Sequence, residues 1–424
     1  MTLLEDLQFR GLINQVTDEK GLEDLLEKKQ VKLYCGFDPT GDSLHIGHLL
    51  TILTLRRFQL AGHQPFPLVG GATGLIGDPS GKAAERMLNE QEVVEGFVAK
   101  IQSQLERFLD FTGENQAKMK NNYDWLGHMT LTDFLRDVGK HFSVNYMLAK
   151  DSVSSRIDTG ISFTEFAYQI MQSYDFHKLY TEDHVQLQIG GSDQWGNITA
   201  GLELIRRLSG GEEGAAPDAY GFTIPLVTKA DGEKFGKTAG GAIWLDREKT
   251  SPYEFYQFLL NTDDRDVVRF LKYFTFLTPE EIQELENEVN ERPHERRAQR
   301  RLAEELTRFV HDEEALIQAQ RITAALFGGG NLKKLTAEEV LEGFKDVPSV
   351  TAEEGTGLID VLVQVNSASS KRQAREDIQN GAIYINGERC QDLDKTLGED
   401  DMIDEAFTII RRGKKKFFLI KYSQ

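Results

Sequence analysis

Two histidines three residues apart, His45 and His48, flank Ile46 and Gly47 at the start of an apolar stretch that runs to Leu60. Residues i and i+3 share one face of a first helical turn, where unpaired backbone N–H groups attract anions. Two imidazoles there, with Gly47 leaving the backbone open, make a phosphate- or nucleotide-binding position. Far downstream, Lys234-Phe235-Gly236-Lys237-Thr238 puts two ammonium groups and a hydroxyl on a glycine-containing loop, a second phosphate grip. Neither segment is a Walker loop. Three residues separate Gly232 from Gly236 where that loop has four, and Gly77 to Lys82 falls one residue short. The glycine-dense run Gly70 to Lys82 carries no dinucleotide fingerprint either. Each segment also has a purely structural reading: a helix cap, a tight sheet-to-helix turn, and a solvated Asp231-Gly232 hairpin.

These groups need strands and helices to position them. Val31 to Cys35 alternates like a strand, Leu49 to Leu60 has helical apolar spacing up to Ala61-Gly62, and Phe66 to Val69 is a buried strand leading into Gly70-Gly71. That is the βαβ pattern of an open parallel sheet, in which ligands bind beyond the carboxyl ends of the strands. Val185 to Ile189 followed by Gly190-Gly191-Ser192-Asp193 repeats it, and Thr223 to Val227 supplies a further strand. Leu131 to Met171 and Trp195 to Leu208 read mainly as helix, and Ser209 to Ala219 as a surface loop. From Ser251 to Phe327 the pattern is helical, with starts at Thr262-Asp-Asp and Thr278-Pro-Glu-Glu, until Gly328-Gly-Gly330. A polar connector and a compact tail of about 65 residues follow, large enough to fold independently. There is no internal repeat.

The expected class is α/β: a Rossmann-like catalytic domain with a helical connecting insertion over 1–220, completed by a strand and the lysine loop over 221–250. A helical domain over 251–330, a linker over 331–357 and a small α+β domain over 358–424 complete the organisation.

With 424 residues, 40% of them hydrophobic, the chain has ample material for several cores. Two isolated cysteines, Cys35 and Cys390, fit neither a disulfide framework nor a thiolate metal cluster and indicate a reducing compartment. Met1 to Arg10 lacks the regions of a signal peptide, and no run approaches membrane-spanning length, so a cytoplasmic protein is expected. A net charge of −19 argues against a general nucleic-acid coat. The tail differs: from Val365 onward 11 Lys and Arg face 10 Asp and Glu, a net of +1. Lys371, Arg372 and Arg375 cluster on a predicted helix, Asn380-Gly381 turns into the strand Ala382 to Ile385, and Arg411-Arg412-Gly413-Lys414-Lys415-Lys416 forms a basic hairpin turn.

Taken together, His-Ile-Gly-His at 45–48 and Lys-Phe-Gly-Lys-Thr at 234–238 resemble the two signature motifs of class I aminoacyl-tRNA synthetases. Leu33 to Thr40, Gly70 to Asp78, Gln188 to Asn197 and the carboxyl tail resemble the bacterial-type tyrosyl-tRNA synthetase family, and the likeness spans essentially the whole chain. Phe235, Gly236 and Thr238 stand where the general class has Met, Ser and Ser, a variant that itself looks tyrosyl-like. The Ser209 to Ala219 stretch has no assigned counterpart and reads as a variable loop.

The resemblance implies a two-step reaction. Tyrosine carboxylate attacks the α-phosphorus of ATP, releasing pyrophosphate, and the tyrosyl group passes to the terminal ribose of tRNA(Tyr). It implies that Thr40 and His45 hydrogen-bond the outgoing phosphates while Lys82, Arg86, Lys234, Lys237 and Thr238 close over the pyrophosphate. Cys35, Gly36, Asp38, Gly47, His48, Thr51, Gly191 and Asp193 would hold the nucleotide. Tyr34 and Asp175 match positions for the phenolic hydroxyl, Asp78, Tyr168 and Gln172, with Thr73 nearby, those for the ammonium group, and Gln194 that for the carboxyl. Mg²⁺ is expected to arrive on the ATP phosphates, with no dedicated metal site. The tail resembles an S4-type RNA-binding module, implying tRNA contacts from Lys371, Arg372, Arg375, Arg411, Arg412, Lys414 and Lys415. A homodimer is implied as well. Two other readings stay open at this point: a tryptophan-specific relative, and an RNA-binding splicing or translation factor that keeps the fold without the activity.

Overall fold

The structure, a computed structural model, describes residues 1–80, 88–154, 157–158, 160–209, 218–238, 241–327, 331–413 and 416–422, without the side chains of 151 and 152. The chain divides into two units: Met1–Thr250 with Thr262–Leu302, and Ser251–Asn261 with Ala303–Gln424. The stretch expected as one helical domain, 251–330, is thus shared between them.

The first unit is built on a six-stranded sheet of β1 (Gln15–Val16), β2 (Lys32–Phe37), β3 (Gln64–Val69), β4 (Lys120–Asn121), β5 (Leu187–Gly191) and β6 (Tyr220–Ile224), in the order β1-β6-β5-β2-β3-β4. β2 pairs in parallel with both β3 and β5, β6 in parallel with β5, β4 in parallel with β3, and only β1 runs antiparallel. The chain leaves β2 toward β3 on one side and returns as β5 on the other. β2 and β5 therefore flank a topological switch point, where an open parallel sheet leaves a crevice for ligand. Every residue of β3 is buried, including Pro65 and Pro67. The prolines cost no ladder bond, because β4 pairs only with Leu68 and Val69 on that side.

Helix α1 (Ile46–Leu60) follows β2 and buries residues around its circumference. The later helices α2 (Gln91–Phe108), α3 (Phe163–Asp183) and α4 (Trp195–Leu208) supply the remaining layers. The predicted helical stretch 131–171 breaks into short turns of helix before α3 begins, with Ser162 as its N-cap. Helix α5 (Asp264–Phe274) starts at N-cap Asp263 and buries Val267, Phe270, Leu271 and Phe274, an i, i+3, i+4, i+7 stripe.

The second unit contains helices α6 (Glu313–Phe327) and α7 (Ala337–Gly343), then a five-stranded sheet with α8 (Leu358–Gln364) and α9 (Lys371–Gln379). Its strands are β9 (Ser349–Ala352), β10 (Ile383–Ile385), β11 (Glu388–Arg389), β12 (Phe407–Arg412) and β13 (Lys416–Tyr422), in the order β11-β10-β12-β13-β9. Strand alternation gives this sheet two apolar faces. Ile383, Ile410 and Ile420 pack with Leu362 and Ile378 of α8 and α9, while Ile409 and Leu419 pack with Ile322 of α6 and Val340 of α7.

Candidate active site

A cavity of about 220 Å³ opens at the switch point. Its lining unites fifteen of the residues singled out in the sequence: Tyr34, Cys35, Gly36, Asp38, Thr40, His48, Thr51, Thr73, Asp78, Tyr168, Gln172, Asp175, Gly191, Asp193 and Gln194. The strand ends of β2 and β5 supply its floor, the loop after β3 one wall, and α3 another. Tyr168, Gln172 and Asp175 fall at i, i+4 and i+7 along α3, so one helix face delivers all three.

Asp175 lies at the cavity's inner end, 2% exposed. Its carboxylate accepts hydrogen bonds from Asn122 Nδ2 at 3.0 Å and Trp125 Nε1 at 2.7 Å. Burial raises its pKa to about 7 against those two donors, with a further upward push from Asp38. Tyr34, 1% exposed beside Phe176, has a hydroxyl with no hydrogen-bond partner, and burial and the Asp175 charge hold its pKa well above the usual phenol value. A buried, unpaired hydroxyl costs roughly 1–3 kcal/mol, so this corner of the cavity is built to receive a polar group.

A second network surrounds the cavity's middle. Thr73 Oγ1 donates to Asp38 Oδ1 at 2.7 Å and Tyr168 Oη donates to Asp38 Oδ2 at 2.6 Å. Asn122 Nδ2 also donates to Thr73 Oγ1 at 3.0 Å, so one amide ties this network to Asp175. Gln194 Nε2 donates to Asp78 Oδ2 at 2.7 Å, Gln172 Nε2 to Gln194 Oε1 at 3.2 Å, and Asn197 Nδ2 to Gln172 Oε1 at 2.8 Å. Burial, then Asp38 and Asp78, keeps the Tyr168 phenol protonated. The carboxylate of Asp78 and the amide oxygens of Gln172 and Gln194 are acceptors that suit an ammonium group. Asn122 and Trp125 carry no sequence signal, and Asn197 closes the Gln188 to Asn197 segment without a role expected of it. Asn122 and Trp125 follow a two-residue strand, too short for any alternation to announce it.

The two signature segments meet beside this cavity. His45 is the N-cap of α1: its Nδ1 accepts from Gly47 N–H at 3.0 Å, and His48 Nδ1 accepts from His45 N–H at 3.2 Å, a reciprocal cap made by two imidazoles. The rings lie 4.0 Å apart. A Cβ at position 47 would sit 2.7 Å from His45 Cε1, so the glycine makes room for the capping ring as well as for a ligand. The Asp231-Gly232 turn closes a hairpin, with Lys229 N–H bonded to the Glu233 carbonyl at 2.8 Å. Phe235 is buried between Phe270 and Phe274, at 4.6 and 5.2 Å, while Lys234, Lys237 and Thr238 are exposed. Strands β7 (Lys237–Thr238) and β8 (Gly241–Ala242) pair next, and Ile46 N–H donates to the Ile243 carbonyl at 2.8 Å. His45, Gly47, Lys234, Lys237 and Thr238 stay outside the cavity lining, and among the described residues no lysine lines it. Lys82 and Arg86 lie outside the described residues.

Cys35 is buried, and its thiol is pushed up to about 12 by burial and the Asp193 charge, so it is a neutral packing and hydrogen-bonding group. Among the described residues no three His, Cys, Asp or Glu side chains converge where a metal ion would fit, and no helix is long and apolar enough to cross a membrane.

In the second unit, Lys371, Arg372 and Arg375 project from α9 and are exposed. Lys371 pairs with Asp360 at 2.5 Å and Arg372 with Glu376 at 3.3 Å. Arg411 stacks on Tyr384 at 4.0 Å, and Arg412 is held by Asp377 at 2.9 Å and by the Ser367 carbonyl. Lys414 and Lys415 lie outside the described residues, as does most of the 209–219 stretch.

A family model described as "tRNA synthetases class I (W and Y)" matches residues 26–328, and one described as "Tyrosine--tRNA ligase SYY-like C-terminal domain" matches 339–420. Over 425 aligned residues spanning all of both chains, the sequence is 64% identical to the tyrosine–tRNA ligase of Geobacillus stearothermophilus and 65% identical to tyrosine–tRNA ligase 1 of Bacillus anthracis. Among solved structures, a C-terminally truncated mitochondrial tyrosyl-tRNA synthetase of Aspergillus nidulans is 32% identical, with a TM-score of 0.70 over 77% of this chain and 94% of that one. The tyrosyl-tRNA synthetase of Archaeoglobus fulgidus, crystallised with L-tyrosine, shares the fold at 17% identity, with a TM-score of 0.55 over 74% of this chain and all of that one. With a family model matching most of its length and relatives identical at nearly two thirds of all positions, the chain belongs to the tyrosine–tRNA ligases of class I.

Proposed function

We infer that this chain condenses L-tyrosine with ATP to give tyrosyl-adenylate and pyrophosphate, and then transfers tyrosine to the 3′ end of tRNA(Tyr). The observation that carries the choice of amino acid is the buried pair at the cavity's inner end, an unpartnered Tyr34 hydroxyl and the Asp175 carboxylate. A phenol satisfies both groups; a phenyl ring leaves both desolvated and unpaired, a discrimination for which tyrosine ligases are themselves the standard example.

On this reading Asp78, Tyr168 and Gln172, with Thr73 beside them, receive the ammonium group, and Gln194 the carboxylate. Cys35, Gly36, Asp38, Gly47, His48, Thr51, Gly191 and Asp193 hold adenosine. Thr40 and His45 bind the departing phosphates, and Lys82, Arg86, Lys234, Lys237 and Thr238 neutralise the charge that develops on them. No nucleophilic side chain takes part, because the substrate carboxylate is the nucleophile. Catalysis then rests on alignment and on cations that engage pyrophosphate as it leaves. The exposure of Lys234 and Lys237 outside the cavity fits that order of events, since groups engaged only in the transition state raise the rate without tightening substrate binding. Mg²⁺ comes with ATP, held by phosphate oxygens and water.

The first unit carries the adenylation chemistry, and the second grips tRNA through Lys371, Arg372, Arg375, Arg411, Arg412, Lys414 and Lys415; the expected linker 331–357 instead supplies α7 and β9 to that second unit. The working form is a cytoplasmic homodimer. Leu131, Val144 and Phe163, 71%, 61% and 73% exposed, support the dimer, being large apolar side chains that a partner would cover. Replacing Asp175 by Ala tests the amino-acid assignment: tyrosine activation falls by orders of magnitude, and an unchanged rate would rule out this pocket as the tyrosine site.

A further inference from the structure

Two arginines outside the cavity are almost fully buried: Arg10 is 4% and Arg57 5% exposed. Burying a guanidinium is costly without partners for its charge and donors; every nitrogen of Arg10 has a partner, while Arg57 engages its two terminal nitrogens and leaves Nε without a hydrogen bond. Arg10, the C-cap of the first helix (Leu3–Phe9), donates Nε to both Asp6 carboxylate oxygens at 2.8 and 3.0 Å, Nη1 to the Thr275 carbonyl at 2.9 Å and Nη2 to the Leu277 carbonyl at 2.8 Å. Arg57, in the last turn of α1, donates to the same Thr275 carbonyl, lies 3.7 Å from Asp6 and stacks over Phe276 at 4.6 Å. Thr275 is the C-cap of α5. Two guanidiniums thus converge on the carbonyls just past one helix end, where no intrahelical N–H is available.

That helix is the platform of the lysine hairpin. Asp266 accepts from Ala230 N–H at 2.9 Å, Arg269 Nη2 donates to the Thr228 carbonyl at 2.6 Å, and Phe270 and Phe274 clamp Phe235. Arg57 also belongs to the helix that begins at His45-Ile46-Gly47-His48. The two signature segments are therefore connected twice: directly, where Gly236 meets Ile46, and around the back, through Arg57, Thr275, α5 and Phe235.

We propose that Arg10 and Arg57 are positioning residues for the adenylation step, fixing the end of α5 so that the Phe235 anchor presents Lys234 and Lys237 at the right reach for the departing pyrophosphate. This rests on the activity inferred above. Removing a guanidinium frees Phe274, lets Phe235 shift, and displaces ammonium groups that touch only the transition state. Tyrosine binding, in a cavity lined by none of Arg10, Arg57, Phe235, Phe270 and Phe274, keeps its geometry, and so does transfer from adenylate already formed.

The test uses the full chain with Arg57→Met, Arg10→Met and the milder Arg57→Lys, each normalised to titrated active sites. The expected result is a fall of about tenfold to a hundredfold in the first-order rate of adenylate formation, the scale of a misplacement near 1 Å. The dissociation constant for tyrosine stays within about twofold, single-turnover transfer from enzyme-bound tyrosyl-adenylate to tRNA is unchanged, and Arg57→Lys recovers part of the loss. Combining Arg57→Met with Phe235→Leu costs no more than the worse single change, because both act through one anchor. If a methionine variant does not fold, the lysine variant carries the same readouts with a smaller loss. A uniform decline in tyrosine binding, adenylation and transfer, or full additivity with Phe235→Leu, overturns the proposal and leaves the arginines as packing. Absence of tyrosine-dependent adenylation in the unaltered protein overturns the activity itself, and the positioning role with it.

Discussion

Gly236 and Ile46 are in contact: a Cβ built on Gly236 would lie 2.2 Å from Ile46 Cγ2, and Gly236 has φ +83°. One backbone position in the lysine segment is thus shaped by one side chain in the histidine segment, although 190 positions separate them in sequence. Gly236→Ala therefore meets two penalties, left-handed backbone strain of about 1–2 kcal/mol and a steric overlap with a fully buried residue. Stopped-flow measurement is expected to show adenylate formation slowed at least about tenfold, the sensitivity of aligned groups to small displacements, with tyrosine affinity little changed.

Asp175 makes a pH-dependent contribution of known sign. Its pKa is raised by burial to about 7 from an ordinary aspartate value. The folded protein then binds more protons than the unfolded chain between about pH 4 and 7, so this group's stabilising contribution is full below pH 4 and is lost as pH rises through 7. Urea unfolding should show Asp175→Asn gaining stability relative to the unaltered chain as pH increases across that window. The ionised form accepts the substrate hydroxyl, so tyrosine binding near pH 6.5 should release a proton, measurable by calorimetry in buffers of different ionisation enthalpy.

The exposed apolar side chains Leu131, Val144 and Phe163 predict an association equilibrium. Sedimentation velocity across a concentration series should give a dimer for the unaltered chain and monomer for Phe163→Glu. Its circular dichroism spectrum should match that of the unaltered chain, since 73% of Phe163 is exposed in the single chain, while its melting temperature should fall and lose its dependence on protein concentration.

Arg375 is exposed on α9 and its neighbour Arg372 holds only a surface pair with Glu376. Arg372→Gln with Arg375→Gln should raise KM for tRNA, lessen the salt dependence of tRNA binding by about one power of salt concentration for each phosphate no longer neutralised, and leave adenylation unchanged. Point substitutions are the better probe than cutting the chain near Phe327. Such a cut would strip α6 of the Phe407, Ile409 and Leu419 side chains its Ile322 packs against. Arg412, engaged by Asp377 and the Ser367 carbonyl, should affect stability before it affects tRNA.

The parallel sheet was legible because β2, β3 and β5 are largely apolar strands, and β3 and β5 run into the glycine pairs Gly70-Gly71 and Gly190-Gly191, of which Gly70, Gly190 and Gly191 line the crevice with the end of β2. Strand boundaries moved where local chemistry overrides pattern: the strand expected over 223–227 is Tyr220–Ile224 and stops before Pro225. Side chains adjoining a signature or on the α3 face, such as Tyr34, Asp38, Gln172 and Asp175, were readable from the family resemblance. Asn122, Trp125 and the Arg10–Arg57 pair were not, because their roles depend on partners about 50 or more positions away and on no local periodicity. Periodicity reports which face is buried; it does not report which buried polar groups find each other.

Exchange of labelled pyrophosphate into ATP reports adenylation of tyrosine, with tyrosine, phenylalanine, tryptophan and no amino acid compared side by side on the full chain. Exchange with tyrosine far above the other three is the predicted result, and exchange that is absent, or equal with phenylalanine or tryptophan, would contradict it.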